Sequence, residues 1–184
     1  MLPTRVVANT AEIIKSVAIG ADDGCSGDWA FYDTAVWYEI GSPGTGATYD
    51  AWFRFTNINI PAGATVLQAR LETVHGSWDN GTHLKIYAEK AANPSAPIST
   101  VDHTGRIRTN TGVEWISNGS DWEWHNSPNF ASVIQELVGT YDYSGGGNAI
   151  QILVDDDGSD DGDEHTGSTL EDGYAPVLYI KYTP

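Results

Sequence analysis

The stretch AWFRFTNINIPAGATVLQARLE, residues 51–72, decides the fold. In its first half Phe53 and Phe55 alternate with Trp52, Arg54 and Thr56; in its second half Leu67, Ala69 and Leu71 alternate with Gln68, Arg70 and Glu72. Residues two apart on an extended chain share a face, so this period predicts two half-buried strands. Between them Asn59-Ile60-Pro61-Ala62-Gly63-Ala64 carries the Pro and Gly that punctuate a turn.

The same alternation extends outward. Leu84, Ile86 and Ala88 stand against Lys85, Tyr87 and Glu89, and the pattern returns at Ile150, Ile152, Val154 and at Leu178, Ile180, Tyr182. Residues 30–40 are rich in aromatic and β-branched side chains with blurred alternation, which predicts a strand or a bulged pair, followed by a loop over 41–48. One helix is predicted: Ser127 as cap, Pro128 in the first turn, and Phe130, Val133, Ile134, Leu137 and Val138 as one apolar stripe. Many short strands with a single helix predict an all-β fold, an antiparallel jelly-roll β-sandwich. No composition shift marks a linker, so residues 1–184 read as one domain.

Composition narrows the function classes. With 25 acidic against 9 basic residues the net charge is −16, a field that repels phosphate backbones and anionic headgroups, so neither nucleic acid nor membrane is an expected partner. Cys25 is the single cysteine, which excludes an intrachain disulfide framework and a zinc ribbon. Residues 1–19 contain Arg5, Glu12 and Lys15 without an unbroken apolar run, so they read as neither a signal peptide nor a membrane anchor. The five His show no metal-binding spacing. No nucleophile motif stands out, so no enzyme activity is expected.

Residues 145–165, GGGNAIQILVDDDGSDDGDEH, place seven carboxylates within ten positions: Asp155, Asp156, Asp157, Asp160, Asp161, Asp163 and Glu164. No Lys or Arg lies among them, so their repulsion is screened by solvent or offset by a bound cation. Asp157 to Gly162 resembles the first half of an EF-hand loop, but the twelfth position is Ser168 instead of a bidentate Glu. The two readings of the segment are a solvated acidic loop and a calcium site with Asp155, Asp156, Asp157, Ser159, Asp161, Asp163 and Glu164 as candidate ligands. Asp22, Asp23 and Asp28 form a second candidate cluster. Among seven Trp, Trp115, Trp122 and Trp124 lie close together, and in extended backbone Trp122 and Trp124 share a face on which a sugar ring stacks. The alternative for them is core packing or a subunit interface.

The motifs FRFTNINIPAGATVLQARLE (53–72), HLKIYAEKAANPS (83–95), TGVEWISNGSDWEWHNSPNFASVIQELV (111–138), SGGGNAIQILV (144–154) and APVLYIKY (175–182) together resemble the carbohydrate-binding-module-like β-sandwich domains of the DNRLRE type. That resemblance implies a jelly roll, usually non-catalytic, found beside polysaccharide lyases, on secreted surface proteins and in phage virion-like proteins. Two roles are therefore expected. One is a virion structural protein, a head-decoration or tail-surface subunit with other virion subunits or its own copies as partners. The other is an extracellular carbohydrate-binding module with a polysaccharide ligand.

Overall fold

In the computed structural model, residues 9–44, 46–76, 80–119 and 122–184 are described; Arg5, which entered the reading above, lies outside them. Alternating apolar residues become strands wherever two neighbours can complete their backbone hydrogen bonds. The strands are β1 (Ala11–Ser16), β2 (Asp23–Gly27), β3 (Phe31–Tyr32), β4 (Trp37–Gly41), β5 (Tyr49–Ile60), β6 (Thr65–Val74), β7 (Asn80–Ala88), β8 (Val113–Asn118), β9 (Trp124–Asn126), β10 (Tyr143–Asp156), β11 (Glu164–Ser168) and β12 (Val177–Thr183). One sheet runs β1-β12-β6-β9; the other carries the path β5-β10-β7-β8. These two four-stranded orders are those of a jelly roll: along the chain the eight strands switch sheet at every step except from β7 to β8. The second sheet is widened beyond β5 by β4 and β11, and by the β2–β3 ribbon.

The core lies between the sheets, where Phe53, Phe55, Ile86, Ile150, Ile152, Leu71, Leu178 and Ile180 are fully or almost fully buried. The helix α2 (Ala131–Thr140) closes one end by burying Val133, Ile134, Leu137 and Val138, the predicted stripe. It begins later than its sequence signals suggest. Ser127 accepts from Leu71 N at 3.0 Å and donates its own N–H to Leu71 O at 2.8 Å, so this residue extends the edge of β6 and does not cap the helix. A further helical turn, α1 (Thr100–Thr104), is capped by Ser99, whose hydroxyl accepts from Asp102 N at 3.1 Å.

Two local expectations are corrected. Leu67 does not point inward with Ala69 and Leu71: opposite Lys181 and Tyr182 the β6 register slips by a residue, Val66 takes the inner position, and Leu67 is 45% exposed. Trp52 was placed opposite Phe53 on the outer face, yet it is fully buried. Phe31 stacks on it at 5.1 Å and His103 meets it at 4.9 Å, because the β2–β3 ribbon and the loop holding α1 cover that side of β5. The blurred segment 30–40 resolves into two short strands, β3 and β4.

Candidate functional site

Strands β4 and β11 pair antiparallel, with Glu39 opposite Thr166 and Trp37 opposite Ser168. Period two then sends Tyr38, Ile40 and His165 into the core and Trp37, Glu39, Glu164, Thr166 and Ser168 to the opposite face, where Glu39 and Ser168 are themselves buried and Trp37 is exposed. On this outer face lies a cleft of about 380 Å³, within the size range of small-ligand sites. Gly76 and Trp122, arriving from the end of β6 and the approach to β9, form its other wall. Trp37 is 41% exposed and Trp122 60%, so two indole faces border the cleft while keeping contact with solvent.

Close backbone approach builds that wall. Gly76 N donates to Thr166 O at 2.7 Å, and a side chain at position 76 would run into the Thr166 hydroxyl. Trp122 sits at φ 59, a left-handed conformation that bulky residues rarely adopt and that costs about 1–3 kcal/mol. Its N–H donates to His75 O at 3.1 Å, which holds it there. A strained, solvent-facing Trp at a cleft is the kind of feature that a binding role explains and packing does not.

Glu39 and Glu164 lie on the same face of the β4–β11 pair and both line the cleft. Burial first, then the neighbouring Glu164 carboxyl through hydrogen bonding and charge, push the Glu39 carboxyl up to about 8, so it stays protonated at neutral pH. Asp172, which accepts from Ser168 Oγ at 2.9 Å, adds a third carboxylate to the lining. Among the described residues none of the lining side chains is basic.

Behind β11 the inner face is packed by imidazoles. His165 Nδ1 and Nε2 are hydrogen-bonded to Ser117 Oγ at 2.9 Å and Tyr38 Oη at 3.1 Å. His75 meets His165 edge-on at 4.4 Å and stacks on His125 at 4.3 Å. Among the described residues no group of three or more His, Cys, Asp or Glu side chains is placed to hold a metal ion. This layer is a rigid floor for the cleft. Gly167 lies over Tyr38, and a Cβ there would collide with the phenol ring, itself locked edge-on against Phe53 at 4.9 Å. Gly167→Ala is expected to destabilise the protein by about 1–3 kcal/mol through overpacking, measurable as a lowered urea midpoint with unchanged slope.

The predicted acidic loop is drawn apart by its own chain. Asp155 receives a bidentate pair from Arg108 at 2.9 and 3.0 Å, and Asp157 lies 3.5 Å from Lys85 Nζ. Asp156 Oδ1 accepts from Ser159 N at 3.1 Å, while the Ser159 hydroxyl bridges the His83 backbone. Asp161 accepts from Ser42 Oγ at 3.3 Å, and the Asp163 carbonyl accepts from Ser42 N at 2.9 Å. Glu164 belongs to β11 and points into the cleft. The second candidate cluster is also divided: Asp22 pairs with Arg54 at 2.7 Å, Asp23 accepts from Leu170 N at 2.9 Å, and Asp28 accepts from Thr48 N at 3.4 Å.

Of the three clustered Trp, Trp115 is 5% exposed and packs beside His165, Trp124 stands exposed on β9, and Trp122 alone lines the cleft. The left-handed backbone at Trp122 removes the extended geometry on which a shared Trp122–Trp124 face depended. Trp37, Glu39, Thr166, Ser168 and Asp172 were not singled out in the sequence. The available signal was alternation itself, W-x-E in β4 and E-x-T-x-S in β11, each a polar and aromatic face opposite a buried one.

Fold and cleft together define the class: a jelly-roll β-sandwich bearing an aromatic-walled acidic cleft on the outer face of one sheet edge. In comparisons with known proteins, no family model and no curated protein matches the chain.

Proposed function

We propose that this protein is a non-catalytic carbohydrate-binding module whose ligand lies between Trp37 and Trp122. The observation that carries this reading is the pair of exposed indoles bordering one cleft whose floor offers hydroxyl and carboxyl groups. A pyranose ring presents an apolar face to an aromatic surface and hydroxyls to convergent polar groups, which is the division this cleft provides. Of the two roles left open by the sequence, the geometry favours this one over a virion subunit.

The test is affinity electrophoresis against a panel of soluble polysaccharides, followed by calorimetry on any that retard the protein. Trp37→Ala and Trp122→Ala are each expected to weaken binding by at least about 30-fold, the effect of losing a central aromatic anchor. Both side chains are exposed, so melting temperature and circular dichroism should hold for Trp37→Ala and for Trp122→Ala. Retention of full affinity by both variants, or no retardation on any polysaccharide, would sink the reading.

A further inference from the structure

We propose that the cleft selects a cationic saccharide, an amino sugar carrying a protonated amine, over the neutral or acidic sugar of the same backbone. This rests on the carbohydrate-binding reading above and adds the chemistry of the ligand.

The cleft's charged lining is wholly acidic among the described residues: Glu39, Glu164 and Asp172. An ammonium group placed between them gains three acceptors, and the indole faces of Trp37 and Trp122 attract the same cation through their ring quadrupoles. A uronic acid meets the opposite situation, since its carboxylate would be desolvated among carboxylates. A neutral sugar keeps the stacking but leaves Glu164 and Asp172 without a charged partner.

The free protein bears the mark of this mismatch. With no Lys or Arg among the described lining residues, Glu39 keeps its proton beside Glu164, because two adjacent anions in a half-buried site repel each other. A ligand ammonium supplies the countercharge that this proton stands in for. The protein as a whole is strongly acidic, at −16, so electrostatic attraction of any polycation to its surface must be separated from capture in the cleft.

The experiment compares three length-matched β-1,4-linked oligosaccharides that differ only at C2: the glucose, N-acetylglucosamine and glucosamine oligomers. Binding is measured by calorimetry in mildly acidic buffer, where the amine is protonated. The glucosamine oligomer is expected to bind at least about tenfold more tightly than the other two. In the double variant Glu39→Gln with Glu164→Gln that preference should collapse, and in Trp122→Ala all cleft binding should fall. Equal binding of the three oligomers, or preference for a neutral one, overturns the selectivity while the carbohydrate reading stands. Undiminished glucosamine binding by the double variant and by Trp122→Ala places the cation on the general acidic surface and likewise overturns it. Binding of none of the three, together with failure of the wider polysaccharide panel, removes the carbohydrate reading itself.

Discussion

Arg108→Ala is expected to cost about 3 kcal/mol of stability and to lower the melting temperature by roughly 6–12 °C. Arg108 joins two parts of the fold. Its Nε and Nη2 hold Asp155 at 3.0 and 2.9 Å, and its Nη1 donates to the carbonyls of His103, Thr104 and Arg106 at 3.1, 3.2 and 2.8 Å. It therefore ties the end of α1 to the acidic end of β10. Burial and the charge of Asp155 already push nearby Asp50 up to about 7, and Arg108 is the cation that opposes this. Removing it leaves Asp155 facing Asp50 and Asp156 with no countercharge, while α1 loses its tether. The cost is set at the lower end of the range for a broken buried pair because Arg108 and Asp155 keep 18% and 21% exposure.

Two controls separate charge from tethering. Adding Asp155→Asn to Arg108→Ala should recover part of the loss, since it removes the unpaired anion, and added salt should help the single variant more than the wild type. A melting temperature for Arg108→Ala within a degree of the wild type would show that solvent alone stabilises the acidic cluster.

That pair also shows where the sequence becomes hard to read. Residues 155–164 contain no basic side chain, yet the cations that offset them come from elsewhere: Arg108, 47 positions from Asp155, and Lys85 on the neighbouring strand β7. Charge balance across a sheet depends on register, which a local pattern does not contain. What was legible was period and punctuation. The alternation at Phe53 and Phe55, at Leu84, Ile86 and Ala88, and at Leu178, Ile180 and Tyr182 marks strands whose inner faces meet in the core. Trp52 and Leu67 broke the pattern for identifiable reasons, a covering loop in one case and a bulge in the other. The cleft was the least visible part. Glu39 and Glu164 become neighbours only because β4 and β11 pair, and Glu164 read as the tail of an acidic run until it was found within a strand.

Glu39→Gln is expected to stabilise the protein increasingly as pH rises. In the wild-type protein the folded-state value of Glu39 is raised from 4.5 to about 8. Between those values the folded protein binds the proton more strongly than the unfolded chain does, so the contribution is complete below 4.5 and is lost as pH rises through about 8. Asp23 and Asp50, both raised from 3.8 to about 7 chiefly by burial, lose stability over an overlapping window. His103 runs the other way. Burial, then Arg108 and Arg106, lower it from 6.5 to about 3, so it opposes the carboxyls only on the acid side, where stability falls as pH drops through that range. Above about pH 6.5 the carboxyls act unopposed by His103, and the melting temperature of the wild type should decline up to about pH 8 and then level off. The amide of Glu39→Gln matches the protonated acid in shape, so the variant should melt with the wild type near pH 4.5. Its advantage should grow from there and be complete above about pH 8, because it never forms the adjacent pair of anions. Parallel melting curves for the two proteins across the whole range would mean that Glu39 is ionised throughout, and with it the proton shared in the empty cleft would have to be abandoned.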